Sequence, residues 1–82
     1  MENFIEELNY YKNEYCKGKY RHFKGKEYEL LDFAINSETL EIMVIYKQLY
    51  GEFATWVRPA KMWGEKVEYE GKIVERFTKL KN

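Results

Sequence analysis

Cysteine, proline and histidine occur once each in this 82-residue chain, and each scarcity narrows what the protein can be. A single Cys16 forms no internal disulfide, and a zinc site built around one Cys and one His would need an improbable carboxylate set. No apolar run approaches the roughly 18 residues needed to cross a bilayer. The start, MENFIEEL, is acidic and lacks a basic region followed by an apolar block, so no secretory leader is expected. These absences predict a cytoplasmic protein with no metal, no cofactor and no membrane association. Fourteen basic residues balance fourteen acidic ones, so overall charge gives no pull toward nucleic acid or anionic lipid.

Catalytic patterns are missing as well. There is no Gly-rich loop to cradle phosphate, no spaced metal-ligand set, and no Ser/His/Asp arrangement in a recognisable context. One small domain over residues 1–82 also struggles to enclose a pocket of several hundred Å³. A non-catalytic protein is the expectation.

What is abundant is aromatic: 18% of the residues are Phe, Trp or Tyr. Rings bring much buried area per position, which suits a fold with few core positions. Charge is unevenly spread. Residues 10–26 carry six bases (Lys12, Lys17, Lys19, Arg21, Lys24, Lys26) against Glu14, whereas residues 27–46 carry five acids and no base. The ordinary reading is an acidic strand lying beside a basic one, with helix-dipole complementation near the N-terminus; the alternative is a dedicated basic patch.

Apolar residues at Phe4, Ile5, Leu8, Tyr11 and Tyr15 follow helical steps of three and four, predicting a helix over 2–16 stopped by Gly18. Residues 19–80 read as β. KGKYRHF is a short strand ended at Lys24-Gly25. EYELLDFAI is a longer one whose alternation slips at Leu30-Leu31, as a bulge would produce. EIMVIYKQLY is strongly β-forming and apolar on both faces of its first half, which predicts a central strand. TWVRP ends at Pro59, which offers no ladder donor, and AKMWG fits one 3₁₀ turn. KVEYEGKIVERF reads as a hairpin around Glu70-Gly71-Lys72. A helix followed by five or six short antiparallel strands predicts a small, partly open SH3-like barrel. The alternative is a strongly bent antiparallel sheet packed on the helix.

The blocks YRHFKG (20–25), SET (37–39) and LYG...WVRP..M (49–62), with Tyr28, Ala34, Tyr46, Glu65, Val67, Gly71 and Arg76-Phe77, resemble a family of small bacterial proteins. It is catalogued as domain of unknown function 1653. The resemblance covers about residues 20–77 and implies no activity. Asn36 stands where the family usually has His, Leu40 replaces a common turn Gly, and Glu75 replaces a Pro; the first removes a second imidazole.

Period-two geometry organises the candidate residues. Tyr20 and His22 share one face of their strand, Arg21 and Phe23 the other. Tyr and Phe could be core while Arg21 pairs with an acid such as Glu29, or one face could present a ring beside a cation. A lone His22 is more often structural than catalytic. Trp56 and Arg58 also share a face, and Pro59 fixes the strand exit, a rigid ring-plus-guanidinium surface suited to carboxylate, phosphate or a Pro-rich segment. Tyr50, Phe53 and Trp56 crowd one connection, which either folds inward or walls a groove. SET is most simply a polar turn. The expected ligand residues are therefore Arg21, Trp56 and Arg58, with Tyr20, His22, Tyr50 and Phe53 as neighbours. The favoured ligand is single-stranded nucleic acid or a nucleotide. A peptide or partner protein in an aromatic groove is the competing class, and a small-molecule enzyme or sensor using His22 a third.

Overall fold

A computed structural model describes residues 3–81. Helix α1 spans Phe4–Glu14, and Tyr15 turns extended; the expected start at residue 2 lies outside the described residues. Its stripe of Phe4, Leu8, Tyr11 and Tyr15 is the side that packs on the sheet, as the spacing requires. Seven strands follow: β1 (Gly18–His22), β2 (Glu27–Ile35), β3 (Ile42–Gln48), β4 (Thr55–Pro59), β5 (Lys66–Tyr69), β6 (Lys72–Glu75) and β7 (Phe77–Lys79), with a 3₁₀ turn at Ala60–Met62 between β4 and β5.

Five strands form one antiparallel sheet in the order β4-β3-β2-β1-β7, and β5-β6 form a separate hairpin. The sheet stays open. Among the described residues no ladder joins its edges β4 and β7, so the expected barrel is replaced by an open sheet packed on a helix. The physical cause lies after β4. Pro59 gives no donor, the 3₁₀ turn carries the chain off the ladder, and the next two strands satisfy each other. The strand count exceeds expectation because the last alternating run divides at Arg76: β6 stays in the hairpin, while β7 returns to pair with β1. At the hairpin tip Glu70 and Gly71 both have positive φ, 52° and 80°, the backbone of a tight primed turn.

The slip at Leu30-Leu31 is a bulge. Leu30 pairs with Tyr46, but the next pair is Asp32 with Ile45. Leu31 is the extra residue, so Leu30 and Phe33, three apart, are both buried on the inner face. The β2–β3 turn is held by Asn36, whose Oδ1 accepts from the Glu38 and Thr39 N–H groups at 2.8 and 3.3 Å. Leu40 in that turn has a φ of 64°, a conformation that suits glycine and strains leucine.

The core is Tyr20, Leu30, Phe33, Ile42, Val44, Tyr46, Ala60, Trp63 and Phe77. Its keystone is Trp63, 1% exposed, which follows the 3₁₀ turn back under the sheet. Trp63 stacks on Phe77 (centroids 3.8 Å apart, planes 8° from parallel) and meets Tyr20 and Tyr46, each at 5.2 Å. The next residue, Gly64, is fixed by the helix: a Cβ there would lie 1.9 Å from the Tyr15 hydroxyl oxygen.

Candidate functional site

Cross-strand register decides which side chains meet. On the outer face Lys19 pairs with Glu29 and Glu29 with Lys47, while Arg21 pairs with Glu27. The Arg21 guanidinium lies 3.2 Å from the Glu27 carboxylate. The charge blocks of the sequence thus interleave across β1, β2 and β3, each base facing an acid. These exposed pairs add little stability, but they neutralise the sequence's basic run where it faces outward.

The inner face differs. Trp56 sits opposite Tyr46 and Arg58 opposite Val44, so both project on the core side at the end that α1 leaves open. The Arg58 guanidinium carbon stands 5.6 Å from the ring centroids of both Tyr46 and Phe77, and its Nε donates to the Tyr46 hydroxyl at 3.1 Å. Among the described residues no carboxylate lies within ion-pair distance of it. Trp56 is 52% exposed. Its indole N–H donates to the Gln48 side-chain carbonyl, while the Gln48 amide donates to the Tyr50 carbonyl at 3.1 Å. Gln48 therefore ties the strand tryptophan to the loop tyrosine.

The loop ring is fixed from its other end. The Tyr50 and Tyr28 hydroxyls are 2.7 Å apart, and Lys26 Nζ stands 4.7 Å from the Tyr50 ring centre. Burial, then the bond to Tyr50, pushes the Tyr28 phenol up to about 12, so it stays protonated and able to donate near neutral pH. His22 completes the cluster. Its ring lies 4.4 Å from Phe23, 5.1 Å from Phe77 and 6.3 Å from Tyr28, and its Nδ1 accepts from the Lys24 N–H at 3.2 Å. Burial, followed by the positive charges of Arg58, Arg76 and Lys24, holds its pKa below the usual imidazole value. Arg76 lies near it with its Nε buried and unpartnered and its Nη2 on the Glu65 carboxylate at 3.0 Å.

Of the seven expected residues, the structure brings together Trp56, Arg58, Tyr50 and His22. Tyr20 lies beneath them in the core, its hydroxyl donating to the Cys16 carbonyl at 2.8 Å. Phe53 is exposed at a loop position with a φ of 56°. Arg21 is on the opposite face of β1 and apart from the rest. Sequence reasoning missed Tyr28, Gln48 and Lys26 as site residues and Trp63 as their floor. Period two offered a signal for Gln48, which shares a face with Tyr46; Tyr28 joins them only through the β2–β3 register.

The assembly presents cations above ring faces and hydroxyl donors, without a carboxylate set against the imidazole. Such a surface can stack a planar group and bind an anion. Two hollows, of ≈ 150 and ≈ 190 Å³, lie elsewhere, by α1 and by the β1–β7 side; both fall below ordinary ligand-pocket size. Among the described residues no group of three or more His, Cys, Asp or Glu is placed to hold a metal ion, and no helix is long and apolar enough to cross a membrane.

Residues 18–79 match the family model described as protein of unknown function (DUF1653), and the chain belongs to that family. The match starts after α1. A crystal structure of a DUF1653 protein from Bordetella bronchiseptica is similar, with a TM-score of 0.77 at 31% identity, covering 83% of this chain and 90% of that one. No curated protein matches the chain.

Proposed function

We propose that this DUF1653 member is a non-catalytic binding module that takes single-stranded nucleic acid or a nucleotide on the open end of its inner face. One observation carries the reading: Arg58 is held over two rings and a tyrosine hydroxyl with no carboxylate partner among the described residues, beside a half-exposed Trp56. In this reading Trp56 and Tyr50 stack bases, and Arg58, supported by Lys26, takes phosphate. His22, Tyr20 and Phe53 shape the surface, and Arg21 contributes long-range charge from the other face. Binding of a mixed single-stranded oligonucleotide at low and high salt tests it. Affinity falling steeply with salt, and weakened about tenfold or more in Arg58→Ala, is expected; absence of binding at low salt overturns it.

The exposure of Phe53 and Trp56 favours a second reading, a peptide or partner protein lying along the rings. Peptide affinity that barely responds to salt, with no oligonucleotide binding, is its signature. The return of the last strand to pair with the first supports viewing the sheet as an SH3-like arrangement left open between β4 and β7. The lone thiol fits a cytoplasmic setting.

A further inference from the structure

The β4 edge carries a self-complementary sequence. Gln48 N–H donates to the Ala54 carbonyl at 2.9 Å, one step beyond the Lys47–Thr55 pair. Ladder bonds alternate along an antiparallel pair. Trp56 and Arg58 therefore bond inward to β3, while Thr55 and Val57 aim their N–H and C=O groups away from the sheet, and Pro59 aims a nitrogen with no hydrogen. Natural edges are usually defended by lysines, inward-facing charges or a covering segment. Along this one, Trp56 is 52% and Val57 60% exposed, and Pro59 at its end is the one residue of β4 that removes an outward donor.

We infer that β4 pairs antiparallel with β4 of a second copy about a two-fold axis through Val57. In that register Val57 faces Val57, and the two exchange both backbone bonds. Each Thr55 N–H meets the Pro59 carbonyl of the other copy, the side of proline that can still accept. Trp56 falls opposite Arg58 of the second copy, in a non-hydrogen-bonded pair where side chains come closest. The indole then lies beside a guanidinium that, among the described residues, has no carboxylate within ion-pair distance. This ring-to-cation complementarity selects a second copy as the occupant. The outer face is equally matched, valine on valine. Pairing would join two sheets into one continuous sheet and set the two Trp56–Arg58 surfaces side by side. A contact this small lies at the weak end of specific interfaces, so the dimer forms at micromolar or higher concentration.

Sedimentation velocity on the full chain, from micromolar to near-millimolar, tests this by mass alone and so stands apart from any oligonucleotide result. The expected result is a mass rising from one chain toward two. Val57→Lys places like charges opposite each other at the axis and should weaken the dimer about tenfold or more. Circular dichroism should stay unchanged, since Val57 is outside the core. In a Cys16→Ser background, Val57→Cys should cross-link to a dimer on mild oxidation. Paired α-carbons about 5.5 Å apart fall within disulfide reach. Ile73→Cys on the exposed hairpin should not cross-link. A single-chain mass throughout, a dimer indifferent to Val57→Lys, or cross-linking through Ile73→Cys as readily as through Val57→Cys overturns the inference.

Discussion

The two ends of the sheet's inner face use aromatic side chains for opposite purposes. At one end Tyr11 of α1 and Tyr15 just after it lie 5.6 and 6.3 Å from Phe33, and the Tyr15 hydroxyl reaches the space left by Gly64. Rings there meet rings, and a helix seals them. At the other end Arg58 lies over Tyr46, Lys26 over Tyr50 and His22 beside Tyr28, and among the described residues no helix covers them. Rings that meet rings exclude water and stabilise; the rings at the open end meet the Arg58 guanidinium instead, and Trp56 is left half-exposed. The difference between closed and open ends follows from what is laid over the rings rather than from the rings themselves.

Trp63 serves both ends, so its loss should erase the comparison. Trp63→Ala is expected to cost about 3–5 kcal/mol, seen as a large drop in the urea midpoint and loss of near-UV ellipticity from the whole ring cluster. Gly64→Ala should separate the ends. The added methyl displaces the Tyr15 hydroxyl and costs about 1–3 kcal/mol. Hydrogen exchange should then accelerate in α1 while the β3–β4 ladder keeps its protection; equal acceleration in both would show that the ends are one cooperative unit. Arg58→Ala sharpens the contrast from the open side. It removes the hydrogen bond to Tyr46 and the contacts with the Tyr46 and Phe77 rings and should lower stability by about 1–2 kcal/mol, yet weaken low-salt oligonucleotide binding by about tenfold or more.

Two smaller effects complete the set. Leu40→Gly relieves a left-handed leucine, worth roughly 1–2 kcal/mol, against a flexibility cost of about 0.5–1 kcal/mol. The net should be a slight rise in the melting temperature of the domain. His22 at the open end contributes a slope instead. Its folded pKa lies below the unfolded value of about 6.5, so just below that pH the unfolded chain binds more protons. Stability therefore falls as pH drops from about 6.5 to the lower folded pKa and levels off beneath it. His22→Gln should flatten that part of the acid limb; an unchanged slope would place the titration elsewhere.

Local rules made much of this legible. TWVRP has the boundaries its proline implies, the hairpin turns at Glu70-Gly71, and the failed alternation at Leu30-Leu31 is a bulge. The shared face of Trp56 and Arg58 needed only period two. What could not be read depends on residues far apart in sequence. Whether the sheet closes is decided by where β7 pairs, and β7 is only the three residues Phe77–Lys79. The floor of the site comes from Trp63 swinging under Phe77, 14 positions on. Tyr28 enters the site because β2 meets β3 in one register, and Arg21 leaves it because β1 presents that residue to Glu27.

The bulge at Leu31 works like a crease in card. A flat sheet would turn both ends of its inner face in one direction, and a helix laid across one would shade the other. The inserted residue falls between Leu30, which pairs with Tyr46 of the bare half, and Phe33, which meets Tyr11 of the sealed half, and a bulge bends the strand that carries it. The chain can thus wear a cover and keep a window on the same surface, and deleting Leu31 should make it choose between them.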